Sequence, residues 1–186
     1  GVSRGAGGIA VFMGADDYSI RDNYICGNFS GKDGAGIGHF GLSEGGVIKN
    51  NVILFNEAWN GTTSGSGGGI FITGDADPVA GDTDGPDDAE YEVTTPEEMP
   101  LTAGTGSLLI NANLIQGNSA GTGSGGGIRL EAVNGKDVEA APDDPASWHQ
   151  IVITNNMIVN NVAGYSGAVS LQDALQVKFI NNTVAH

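Results

Sequence analysis

The stretch GTGSGGGIRLEA, running from Gly121 to Ala132, places five glycines in its first seven residues, directly before the strand-like Ile128-Arg129-Leu130. The same event occurs at AGGIAV around Ile9, GAGIGH around Ile37, GGGIFI around Ile70 and SGAVSL around Val169. A second signature follows each one: IRDNYICGN, IKNNVILFN, INANLIQGN, ITNNMIVNN and FINNTVAH. As a template it is an apolar residue, two residues, Asn, one residue, an aliphatic, two residues, Asn. From the glycine-flanked aliphatic to the first Asn the spacing is 14, 14, 43, 28 and 13 residues. A unit of about 22 to 30 residues therefore recurs, and two copies carry insertions.

Each copy holds short runs of alternating apolar residues broken by Gly and Asn, without a long stretch of helical periodicity. Such runs also suit an antiparallel sandwich or barrel. Recurrence of residue identity, and not of hydropathy alone, favours a solenoid in which equivalent side chains stack on one another. Three inward rows are expected: Ile9, Ile37, Ile70, Ile128 and Val169; Ile20, Ile48, Ile110, Ile153 and Phe179; Ile25, Ile53, Ile115, Ile158 and Val184. Asn23, Asn51, Asn113, Asn156 and Asn182 share one register and are expected to form a ladder at a tight corner, since Asn tolerates left-handed backbone and its amide both donates and accepts. The glycines are expected to supply positive φ just before each strand.

The pairing of GG-aliphatic (GGIA, AGIG, GGIF, GGIR, GAVS) with F-x-x-N (FINN at Phe179, and four versions with Ile for Phe) resembles the repeat of polymorphic outer-membrane proteins and related bacterial surface β-helices. The resemblance covers nearly the whole chain outside the insertions. It implies an all-β fold, a right-handed parallel β-helix of about five coils. Pectate-lyase-like enzymes, phage tailspikes and passenger domains also use that fold, so the likeness speaks to architecture more than to activity.

One elongated domain over residues 1–186 is the simplest count. With aromatics at 6% and 32 glycines, the core must come from stacked Ile, Val and Leu. The first and last repeats show no polar capping element, so the chain is expected to be a segment whose ends meet further coils of a longer solenoid. No apolar run is long enough to span a bilayer. The one cysteine, Cys26, follows inward Ile25 and should point outward. A low cysteine count is compatible with a secreted or bacterial cell-surface location.

The formal charge of -15 argues against nucleic acid as a partner, because seven Lys and Arg cannot supply a basic footprint. The acids are unevenly distributed. An insertion at about 73–107 holds Asp75, Asp77, Asp82, Asp84, Asp87, Asp88, Glu90, Glu92, Glu97 and Glu98 with no Lys or Arg. A second, at about 133–148, adds Asp137, Glu139, Asp143 and Asp144 against Lys136. Both leave the repeat just after the glycine-flanked strand, which places them side by side on one edge, where added loops most often carry function. Within the first, GDADP and GDTDGPDD set carboxylates at alternate positions with glycine nearby. That spacing suits hard oxygen ligands, and Asp75, Asp77, Asp82 and Asp84 are the candidates for a structural Ca²⁺.

For catalysis, the implied fold includes lyases of uronic-acid polymers, which use a basic residue as proton abstractor and Ca²⁺ to acidify the substrate, so attention falls on stacked basic residues. Arg21 and Lys49 are equivalent, but Asn111, Thr154 and Ile180 continue the row, and Arg129 stands among Ala10, Gly38, Phe71 and Ser170. A glycoside hydrolase would need paired carboxylates. Asp16, Asp17, Asp22 and Glu44 all fall near turns. His39 shares an inward register with Val11, Ile72, Leu130 and Leu171 and is expected to be a satisfied interior side chain. His149 and His186 flank strands without visible partners. Trp59 and Trp148 are expected to cover edges of the rod. The expected function is a non-catalytic surface scaffold or adhesion-type module whose acidic loops contact a protein, a glycan or Ca²⁺. The alternative is a carbohydrate-active β-helix enzyme.

Overall fold

A computed structural model describes residues 5–59, 61, 65–75 and 101–185. The chain builds three parallel sheets of five strands each. The first contains Ile9–Phe12, Ile37–Phe40, Ile70–Thr73, Ile128–Glu131 and Val169–Gln172. Ser19–Arg21, Gly46–Lys49, Leu108–Asn111, Ile151–Thr154 and Val177–Ile180 form the second. The third is Tyr24–Cys26, Val52–Leu54, Leu114–Gln116, Met157–Val159 and Thr183–Ala185. Every pairing is parallel between successive passes of the chain, the arrangement of an all-β parallel solenoid. A short pair, Phe29–Ser30 with Glu57–Ala58, extends through single bridges to Ser119 and Val162.

The stacking register places the three expected aliphatic rows in line, residue for residue. Ile37, Ile48, Ile53, Ile70, Ile110, Ile115, Ile128, Ile153 and Ile158 are all 0% exposed. β-Branched side chains suit this core, because each sits on its own copy in the next strand and keeps one rotamer. On the last strands inward positions open to solvent: Phe179 is 41% and Val184 49% exposed, and Leu171, in the row of His39, 48%.

The Asn ladder is present and is doubled. In the expected row, Asn51 Oδ1 accepts from both the backbone N–H and the Nδ2 of Asn23, each at 3.0 Å. Asn51 donates in the same way to Asn113, Asn113 to Asn156, and Asn156 to Asn182. A second ladder runs through Asn28, Asn56, Asn118 and Asn161, the second Asn of the template. The remaining Nδ2 hydrogen of inner members reaches a strand carbonyl, as Asn113 does to Ile48 at 3.0 Å.

Two local expectations are corrected. The left-handed residue of each corner is not the ladder Asn but its predecessor: Asp22, Asn50, Ala112, Asn155 and Asn181 before the first row, and Gly27, Phe55, Gly117 and Asn160 before the second. The predecessor makes the turn, which frees the Asn to point inward between strands. The glycines immediately before the strands of the first sheet do not supply positive φ either, although Gly45 does before Gly46–Lys49. They serve close stacking: a Cβ on Gly36 would lie 2.4 Å from the Gly69 carbonyl oxygen, and one on Gly69 would lie 2.5 Å from that of Gly127. Positive φ falls two residues earlier, at Gly34, Gly67 and Gly125.

Because the Asn113 amide serves donors from one neighbour and gives to another, Asn113→Ala strands the buried N–H of Asn51 and the Ile48 carbonyl. It is expected to lower unfolding free energy by about 3 kcal/mol, whereas exposed, terminal Asn23→Ala costs about 1. Urea denaturation of the two variants checks this; equal losses would refute the ladder as a stabilising element.

Candidate functional site

The two corners bounded by Asn rows are short and alike, whereas the connection from the first sheet to the second varies from pass to pass. That loop-bearing edge is the candidate site. Its described residues form a chain of acceptors reaching from one pass to the next. Asp16 Oδ1 takes the Glu44 N–H at 2.8 Å, Glu44 Oε2 takes the Ser107 N–H at 2.9 Å, and Ser107 Oγ takes the Gln150 N–H at 3.3 Å. Glu44 Oε1 also faces His149 Nδ1 at 3.0 Å, and His149 Nε2 lies 3.3 Å from the Ala103 carbonyl. His149, without a partner recognisable in sequence, thus links three passes of the chain.

Around Val133–Trp148 the edge is internally bonded. Asp137 accepts from Gly135 N at 2.7 Å, His149 N at 2.8 Å and Asn134 Nδ2 at 2.9 Å. Partial burial pushes the Asp137 carboxyl up, but these three bonds and the nearby His149 outweigh it and hold the group below the ordinary carboxylate range. A five-residue helix, Lys136–Ala140, and a 3-10 turn, Pro145–Ser147, follow. Trp148 Nε1 donates to the Ala141 carbonyl at 2.7 Å, which fits its expected covering role. Residues flanking the other acidic segment bond to this one: Lys136 N–H reaches the Thr102 carbonyl at 2.9 Å, and Gly74 N–H the Ala132 carbonyl at 3.1 Å.

Of the four proposed calcium ligands, Asp77, Asp82 and Asp84 lie outside the described residues, as does His186. The Asp75 N–H bonds to Thr73 Oγ1 at 3.2 Å. Among the described residues, no three His, Cys, Asp or Glu side chains converge as a metal site.

His39 is interior, as expected, and fully satisfied. Its Nε2 is 2.9 Å from the Gly41 carbonyl and 3.0 Å from that of Thr105, while Nδ1 is 2.8 Å from the Tyr18 hydroxyl. Carbonyls can only accept, so Nε2 carries the proton and Nδ1 accepts from Tyr18. Burial lowers the His39 pKa, opposed by the two carbonyl bonds, and burial raises that of Tyr18.

Arg21 and Lys49 are adjacent on the outer face of the second sheet. Arg129, the one cation of its row, is 7% exposed and bonds across, along and diagonally: Nη1 to Ser170 at 2.7 Å, Nη2 to Glu131 at 3.0 Å, and Nη2 to Gln172. Reading along single rows missed Glu131 and Gln172, which stand two residues on from Arg129 and from its row neighbour Ser170. Cys26 is exposed. No helix among the described residues is long and apolar enough to cross a membrane. No model of a known protein family matches the chain, and neither a curated protein nor a solved structure matches it significantly.

The lowered pKa of buried His39 fixes a sign. The unfolded chain binds a proton near pH 6.5 and the folded one does not, so stability is full above that pH and declines as pH falls below it. The urea midpoint of the wild type is expected to drop between about pH 7 and 5, with a shallower drop in His39→Gln. Parallel pH profiles would refute a neutral interior histidine.

Proposed function

We propose that the protein is a non-catalytic, secreted or cell-surface β-helical scaffold, an adhesion-type module whose acidic edge contacts a protein, a glycan or Ca²⁺. In this reading the solenoid is a right-handed β-helix of about five coils, with repeats of the polymorphic outer-membrane kind and insertions at about 73–107 and 133–148. Further coils of a longer chain would cover the opened rows at Leu171, Phe179 and Val184. The observation that carries the reading is the occupation of four carboxylates among the described residues of the loop-bearing edge. Asp16, Glu44, Asp137 and Asp144 each accept a backbone amide at a turn, so they act as pins for loops and not as a facing acid–base pair. The uncharged outer rows of the third sheet, Tyr24, Val52, Leu114, Met157 and Thr183, agree with a contact surface.

Two experiments test this. The chain is incubated with a panel of neutral and acidic polysaccharides, with Ca²⁺ and with chelator, and the polymer length distribution is measured. Unchanged lengths are expected; Ca²⁺-dependent shortening would overturn the scaffold reading in favour of a polysaccharide lyase or glycoside hydrolase. For the metal, Ca²⁺ is expected to raise Tm, and the double variant Asp82→Asn/Asp84→Asn to lose that rise. An unchanged Tm on adding Ca²⁺ to the wild type would remove the ion from the proposal.

A further inference from the structure

At the corner after the third sheet, the second pass of the chain reads Phe55-Asn56-Glu57-Ala58-Trp59. Asn56 and Ala58 are 0% exposed, so the alternation turns Phe55, Glu57 and Trp59 outward. Phe55 is 63% and Trp59 48% exposed. Each ring nevertheless lies across a glycine of the next pass. A Cβ on Gly117 would sit 2.5 Å from Phe55 Cε1, and one on Gly121 would sit 2.7 Å from Trp59 Cδ1. The glycines therefore seat one edge of each ring, and much of each ring stays exposed to solvent.

Glu57 stands between the two rings. Its backbone N–H bonds to the Asn28 carbonyl at 2.9 Å, but its exposed carboxylate is engaged by none of the described residues. This separates it from the pinned acids of the loop-bearing edge. In parallel register, Phe29, 57% exposed, is its neighbour on one side and Ser119 on the other. Glu57, whose carboxylate no described residue engages, thus has three aromatic residues and a serine as its neighbours in sequence and register.

We propose that Phe29, Phe55, Glu57 and Trp59 form a shelf that binds a neutral glycan chain. The apolar C–H face of a pyranose stacks on an open aromatic ring, and an ionised carboxylate accepts hydrogen bonds from sugar hydroxyls. Phe55 and Trp59 are at most about 13 Å apart along the backbone, so the shelf can engage no more than a few sugar rings of a chain. Both rings are turned outward and well exposed and are not enclosed in a cage, which suits an extended chain better than a small organic cation. A net charge of -15, with Glu57 at the centre, repels anionic polymers and selects neutral ones. The inference rests on the scaffold reading in one respect, that the bound chain is left intact.

Trp59 reports on the shelf. The chain has two tryptophans, so Trp148→Phe leaves Trp59 as the sole indole. This variant is titrated with cellohexaose, xylohexaose, mannohexaose, laminarihexaose, trigalacturonate and choline, each to millimolar concentration. A fluorescence shift with at least one neutral hexaose, and none with trigalacturonate or choline, is expected. Phe55→Ala in that background is expected to weaken binding about tenfold, as for loss of one aromatic anchor, with the circular dichroism spectrum unchanged. Isothermal calorimetry on Trp59→Ala should show the same loss. No shift with any neutral hexaose, a shift with choline or trigalacturonate instead, or binding undiminished in both aromatic variants would overturn the shelf. Recovery of shortened hexaose would instead overturn the scaffold reading, so the two failures are distinguishable.

Discussion

The side-chain amide of asparagine, repeated at one height in every pass, is the interaction on which the rest of this structure depends. Each ladder oxygen takes two donors from the Asn of the preceding pass, while an Nδ2 hydrogen reaches back to a strand carbonyl. Backbone pairing alone would tolerate a slip along the strands, because every peptide offers the same groups. A slip of one residue would turn each buried Asn outward and strand its partners, at about 1–3 kcal/mol per unpaired group. The ladders therefore hold the isoleucine rows in line, and the rows supply the apolar burial that gives the stack its stability.

This arrangement divides the residues of each pass into two kinds. Inward positions are committed to their copies above and below: Ile, Asn and small residues recur because the neighbour is the same. Glycine belongs to this class for the same reason, since at Gly36 and Gly69 the next pass leaves no space for a Cβ. Outward positions have no such copy to match and differ from pass to pass. Arg129 with Glu131, Ser170 and Gln172, the pinned acids at the loop-bearing edge, and the aromatic shelf around Glu57 are three separate uses of that freedom on one scaffold.

The cost of the tight corners falls on single residues. Ala112 and Phe55 adopt positive φ without being Gly or Asn, a conformation that costs about 1 kcal/mol or more for such side chains. At Phe55 the strained position also carries a ring onto Gly117, so backbone strain and an outward-facing aromatic surface share one residue.

Periodicity in the sequence was enough to establish the parallel stacking, the three aliphatic rows, the first Asn ladder and the interior place of His39. All of these follow from a rule that applies between identical neighbours, and such a rule leaves its trace as repetition. The second Asn ladder was also written in the template, at its final position. What tertiary structure alone decided concerns unlike neighbours. That the residue before each Asn takes the left-handed turn follows from the Asn having to reach inward, a demand the residue itself does not display. The His149–Glu44 contact, the bonds of Arg129 to Ser170 and Gln172 and the seating of Phe55 and Trp59 on glycines of the next pass join residues far apart in the chain. No local pattern encodes those distances, because they exist only once the passes are stacked.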